Sequence, residues 1–193
     1  MNYHKFKLIF TVIILIVVFS SLTAAAAFER PELFISAVEL NEILEKGNGN
    51  LKIIDVRNSG KFLLGHLPDA AHMWGDDLST VQGWVPELIP KAAEFSAIAR
   101  EKGINNDSKI VIYGDQESPW PARLWFIFRL YAHQDVSLLK GGYQAWKNEN
   151  YETEILPDNS EEGNFEVRDV KNDWLITSDT IAENLDNENF LIL

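Results

Sequence analysis

Short apolar runs alternate along the chain with stretches whose apolar residues recur at helical spacing. Leu51 to Ile54, Ile110 to Tyr113 and Val136 to Leu139 are near-continuous apolar segments, the pattern of strands covered on both faces of a parallel sheet. Phe34-Ile35 and Ala71 to Trp74 read as two further strands. Ser36, with Glu39 three residues later, has the capping-box spacing and opens a helix to about Lys46, which carries Val38, Ile43 and Leu44 and ends at Gly47-Asn48-Gly49-Asn50. Ser59 to Leu64 reads as a short helix. Trp84 and Pro86 lead into a helix over Glu87 to Arg100, closed by Glu101-Lys102-Gly103. A further helix starts near Pro119, since proline is tolerated in a first turn, and shows a wide apolar face through Leu124, Trp125, Ile127, Phe128 and Tyr131. Gly141-Gly142 allows a tight turn into a last helix with Tyr143, Ala145 and Trp146. The alternation predicts an α/β domain built on an open parallel sheet.

In such a sheet the functional place is the crevice outside the carboxyl ends of the strands, and Gly114 to Ser118 lies there. Backbone N–H groups of such a loop, ahead of a helix N-terminus, suit an anion, and a cysteine among them would be an activated thiolate. The chain has no cysteine, and Gly114 to Pro121 contains no lysine or arginine. Asp55 and Arg57 sit at the end of another strand. They line the crevice or, as the commoner role of such pairs, fix its loop. Arg123 and Arg129 reach from the helix after Pro119 to water or a carboxylate. His66 has no nucleophile beside it in sequence, and its spacing to His72 fits no metal motif, so it reads as a turn-fixing residue. Asp76-Asp77 reads as a solvated or capping pair. Most tryptophans belong to the core; Trp120, on the crevice loop, is the one expected at a domain interface. No cofactor motif is present.

Charge and composition narrow the setting. A formal charge of −12 over 193 residues argues against nucleic acid and against docking on anionic lipid. Lys5 and Lys7, the apolar stretch Leu8 to Leu22 and the small residues Ala24 to Ala27 make 1–27 a signal peptide, or an uncleaved membrane anchor, since Leu8 to Phe28 is uncharged. Either way the domain faces the periplasm or the outside, and any membrane contact runs through that segment alone. Residues 154–173 are polar and acidic and read as a linker after a domain spanning 33–153. Residues 174–193 then echo its opening: Ile176-Thr177 matches Ile35-Ser36, Ile181 matches Leu40, and Leu191-Ile192-Leu193 matches Lys52-Ile53-Ile54. This reads as an incomplete second copy, and the sequence as a truncated tandem protein.

The blocks IIDVR at 53–57, FLLGHLPDAAHM at 62–73, IVIYGD at 110–115 and ARLWFIFRLYAHQDVSLLKGGYQAW at 122–146, in that order, resemble a rhodanese domain. More narrowly they resemble the first domain of the tandem thiosulfate and 3-mercaptopyruvate sulfurtransferases. The resemblance implies a rhodanese-like open parallel sheet with helices on both faces. It also implies a persulfide-forming cysteine in the second domain, while Gly114 and Asp115 occupy that place here. The expectation is a non-catalytic half of an exported sulfurtransferase, whose partners are a second rhodanese domain and a small sulfur donor. The alternative expectation is a stand-alone inactive binding module. Asp115 with Glu117 also mimics the spacing of aspartyl-phosphate phosphatases, but Glu117-Ser118 does not supply the second aspartate and following residue that chemistry requires.

Overall fold

The computed structural model describes residues 33–47, 49–82, 85–155 and 160–191. The segment read as signal or anchor, Trp84, and Ile192-Leu193 of the second-copy match lie outside them. Five parallel strands form one sheet in the order β1 (Phe34–Ile35), β7 (Val136–Leu139), β6 (Lys109–Tyr113), β2 (Leu51–Asp55), β3 (Ala70–His72). Alternate residues of the central strands feed two cores, as the two-residue period of a strand requires. Ile54, Ile110 and Ile112 face α3 (Ala92–Glu101) and α4 (Trp120–Leu130), packing with Phe95, Leu124 and Phe128. Ile53, Val111 and Tyr113 pack on the other side with Leu40 of α1 (Ala37–Glu45) and Trp146 of α5 (Gly142–Asn148). Helices thus cover both faces.

Local signals account for several boundaries. Ser36 caps α1 with a complete capping box, its hydroxyl accepting from the Glu39 N–H. The short α2 (Ser59–Leu63) is capped by Asn58. Pro119 stands at the head of α4. Gly142 has a left-handed φ of 58°, and a Cβ there would run into the Gly114 carbonyl, so only glycine lets α5 press on the loop that follows β6.

Two expectations are corrected. The segment expected to begin a helix at Glu87 is instead β5 (Val85–Leu88), paired antiparallel with β4 (Thr80–Gln82), and α3 begins only at Ala92. Pro90 has no N–H for a helix and disfavours helical backbone at Ile89, so Ile89-Pro90 separates the two elements. The third strand of the sheet is Ala70–His72, with Trp74 beyond it leading into a 3-10 turn over Gly75–Asp77, where the Asp77 carboxylate accepts the Trp74 N–H.

The acidic stretch after the domain is attached to it. Glu154 exchanges backbone hydrogen bonds with His66. Residues 163–171 form a strap across α3 and α4: Gly163 and Phe165 donate to the Arg100 and Ile104 carbonyls, Val167 to Ser96 Oγ, and Lys171 to the Leu130 carbonyl. Asn105 and Asn106 clasp Asn164 and Glu166 through their side chains. Phe165 is buried among Phe95, Phe128 and His133. Further on, Thr177 caps α6 (Ser178–Glu183) as Ser36 caps α1, while Leu175, Ile176, Leu185 and Leu191 stand exposed.

Candidate functional site

The chain leaves β2 toward β3 on one side and leaves β6 toward β7 on the other, so the strand order reverses between β2 and β6. A crevice opens at the carboxyl ends of strands at such a point. Lys61, from α2 after β2, and Asp115, from the loop after β6, meet across it at 2.8 Å, each about half exposed. Sequence spacing carries no sign of this pair, and it corrects the picture of a crevice loop without basic neighbours. The lysine comes from α2, in the connection after β2. Asp115 also accepts the Ser118 N–H at its carbonyl, and Ser118 Oγ accepts the Trp120 N–H, so the one hydroxyl on the loop serves as a local cap.

Beneath this pair lies a buried polar cluster. Arg57 binds both oxygens of Asp55, with Nη2 2.6 Å from Oδ2 and Nε 3.0 Å from each oxygen, and it donates to the Gly65 carbonyl as well. Tyr113 Oη donates to Asp55 Oδ2 at 2.6 Å and accepts the Leu67 N–H. The Arg57 guanidinium lies 3.6 Å from the centre of the Tyr143 ring. Burial alone would weaken the Arg57 charge; the Asp55 carboxylate outweighs it and holds the guanidinium above its ordinary pKa. Burial, reinforced by Asp55, pushes the Tyr113 hydroxyl well up, so it stays a donor. Both Asp55 oxygens are thus held by hydrogen bonds within the cluster. The pair ties the carboxyl end of β2 to Gly65 and, through Tyr113, to Leu67.

His66 is fully buried, its ring stacked 3.9 Å from that of Phe62 with Nδ1 donating to the Phe62 carbonyl. His72 stacks on the same phenyl ring and donates from Nε2 to the Arg57 carbonyl. The two histidines therefore flank Phe62 and do not converge on a common point. Among the described residues no group of three or more His, Asp or Glu side chains is placed to hold a metal ion.

Trp120 packs against Trp74 at 5.0 Å, both half-buried, and Arg123 lies over the Trp120 ring. Arg123 Nε donates to the Leu78 carbonyl, and Arg129 to that of Gln134. Of the residues singled out in sequence, the fold gathers Asp55 and Arg57 into one cluster, places Asp115 above them, and sets Trp120 and Arg123 on the α4 side. Reasoning from sequence misses Lys61, Tyr113 and Tyr143. Tyr113 carries one usable sign: it is the polar-tipped residue that ends the apolar run Ile110 to Tyr113.

Comparison with known proteins gives three kinds of match. A family described as the rhodanese-like domain matches residues 36–149. A thiosulfate sulfurtransferase of Corynebacterium glutamicum is 32% identical over 151 residues, which is 77% of this chain and 48% of that protein. A 3-mercaptopyruvate sulfurtransferase of Mus musculus is 30% identical over 130 residues, 66% of this chain and 43% of that protein. The chain spans about half the length of these curated relatives. In fold it is similar to the 3-mercaptopyruvate sulfotransferase SseA of Escherichia coli, with a TM-score of 0.68 at 24% identity, over 80% of this chain and 63% of that one. It is also similar in fold to an anaerobic ergothioneine biosynthesis enzyme of Chlorobium limicola, with a TM-score of 0.66 at 22% identity, over 83% of this chain and 43% of that one.

Proposed function

The chain belongs to the rhodanese-like domain family, and from that membership we propose that it is the non-catalytic first half of an exported thiosulfate or 3-mercaptopyruvate sulfurtransferase. The observation that carries this reading is Asp115. At the place equivalent to the second domain's implied cysteine, the chain has a carboxylate paired with Lys61, and it has no cysteine at any position. A carboxylate cannot carry sulfane sulfur. In the proposed full reaction a cysteine thiolate of a second rhodanese domain attacks the outer sulfur of thiosulfate. The donor's S–S bond breaks, sulfite leaves with the electron pair, and a cysteine persulfide forms; a thiophile such as cyanide then takes the sulfur and restores the thiolate. This half shapes one wall of the crevice, with Trp74 and Trp120 on the α4 side and the Asp55–Arg57–Tyr113 cluster keeping the β2 end rigid.

The match to about half of each relative supports the tandem reading. So does the parallel between Thr177 at the head of α6 and Ser36 at the head of α1, which fits residues 174–193 as the opening of a second copy. The N-terminal segment, as a signal peptide or anchor, sets the location outside the cytoplasm.

A second reading is a stand-alone binding module. What favours it is the exposure of Leu63 and Leu64 beside Lys61, 62% and 86% respectively, apolar surface fit for a partner.

Thiocyanate formation from thiosulfate and cyanide tests the first reading. The 193-residue chain is expected to give none above buffer, and a cysteine-bearing second domain fused to it is expected to give turnover. Turnover by the chain alone that disappears in Asp115→Ala would overturn it.

A further inference from the structure

We propose that the strap over residues 163–171 is an acid-released latch, held shut by the uncharged imidazole of His133. The strap closes the α3–α4 side of the domain through one large apolar side chain, Phe165, and a row of hydrogen bonds. His133 is its titratable aromatic neighbour. The imidazole is buried, with its ring 5.7 Å from both Phe128 and Phe165, and its Nε2–H donates to the Ser108 carbonyl at 2.9 Å. A second proton would place a full charge inside this largely buried aromatic cluster, where it is poorly hydrated.

The groups facing the imidazole from each side are few. On its own loop stands Asp135, whose backbone and carboxylate favour the charged form. From the turn before β6 comes Ser108, flanked by the exposed Asp107 and Lys109. From α4 come Phe128 and its neighbour Arg129, which donates to the Gln134 carbonyl. From the strap comes Phe165, flanked by Asn164 and Glu166, its carbonyl taken by Arg100 of α3. Burial outweighs the contribution of Ser108 and Asp135 and holds His133 below the ordinary imidazole value.

Lifting the strap exposes the ring and returns it to that ordinary value. The open form therefore takes up a proton that the closed form refuses. Below about pH 6.5, each unit of acidification multiplies the open population by up to about tenfold, until the closed form's own value is reached. Release uncovers the aromatic face of Phe95 and Phe128 and lengthens the tether to residues 172–191.

Amide hydrogen exchange on the intact chain, corrected for intrinsic chemical rates, tests this. Between pH 7.5 and 5.0 the protection of Gly163, Phe165, Val167 and Lys171 is expected to fall, by up to about tenfold for each pH unit below 6.5, while the amides of Ile110–Tyr113 keep theirs. His133→Gln, which can still donate to the Ser108 carbonyl but does not titrate, is expected to abolish the difference. Unchanged strap protection, a parallel loss in β6, or the same pH response in the variant would overturn the latch. Should the variant not fold, an NMR titration of His133 in the unaltered chain decides: a midpoint below 6.5 supports the latch, and one at or above 6.5 overturns it.

Discussion

Lys61 of α2 and Asp115 of the loop after β6 join two connections that leave neighbouring strands in opposite directions, their charged atoms 2.8 Å apart at the mouth of the crevice. The pair is half exposed, so its worth to stability is small, on the order of 0 to 1 kcal/mol. Its chemical consequence is larger, since it presents an ammonium beside the position that, as the resemblance implies, holds the cysteine in the second domain. Asp115→Cys is therefore expected to yield a thiol with a pKa about 0.7 below the ordinary 8.5, because a unit charge at 4 Å in water is worth about 1 kcal/mol. The pH dependence of iodoacetamide alkylation measures it. Lys61→Met in the same background should return the thiol to its ordinary value; an identical profile with and without Lys61 would show that the ammonium does not act on this position.

Asp55→Ala is expected to be among the most damaging single substitutions in the domain. It leaves the Arg57 guanidinium buried without its carboxylate and the Tyr113 hydroxyl without its acceptor. Breaking a buried pair by removing one partner costs about 3–5 kcal/mol, much of it the burden of the orphaned charge. Urea unfolding should show a correspondingly lower midpoint. Removing both partners, as Asp55→Ala with Arg57→Met, should cost less than Asp55→Ala alone; a double variant that is less stable than the single one would sink this account.

Tyr113 adds a pH dependence whose sign is fixed by its surroundings. Its folded pKa is raised, by burial first and by Asp55 second, while the unfolded chain titrates near 10. The stabilisation is fully present below pH 10 and is lost as pH rises beyond it, at about 1.4 kcal/mol per pH unit for one proton. Tyr131, also raised by burial, acts in the same direction. Tyr113→Phe is expected to be less stable than the parent at neutral pH, yet to lose stability less steeply between pH 10 and 11. Equal slopes would mean that the hydroxyl is not the group responsible.

The parts of this fold legible in sequence are those set by short-range pattern. The aliphatic strands Leu51–Asp55 and Lys109–Tyr113, the capping box at Ser36 and the proline at the head of α4 all act within a few residues, and each appears where its pattern puts it. The segment around Glu87 misleads because its apolar residues are consistent with either period, and Pro90 settles the matter by denying a helix its N–H. Asp55 and Arg57 are legible as a pair, being two residues apart. Lys61 with Asp115, and Tyr143 over Arg57, are not, because such neighbours are created by tertiary folding and leave no local trace. Gly114 and Asp115, by contrast, matter through what they are not, and that is readable at once.

Phe165 is illegible for a different reason, and it bears on where the domain ends. It sits in a run of Glu, Asn and Asp that reads as linker, yet it is 2% exposed and meets Phe95 and Phe128 edge-on. Phe165→Ala is expected to cost about 3–5 kcal/mol, the range for emptying a buried aromatic site. A chain cut after Thr153 loses more, because the Arg100 and Ile104 carbonyls and the Asn105 and Asn106 side chains also lose their partners. The rhodanese-like match stops at residue 149, but the backbone hydrogen bonds to the domain continue through the strap as far as Lys171. Thermal unfolding of chains ending at 153 and at 172 separates the two boundaries: equal melting temperatures would mean that the strap is ornamental, whereas a shorter chain that melts well below the longer one makes residues 163–171 part of the domain.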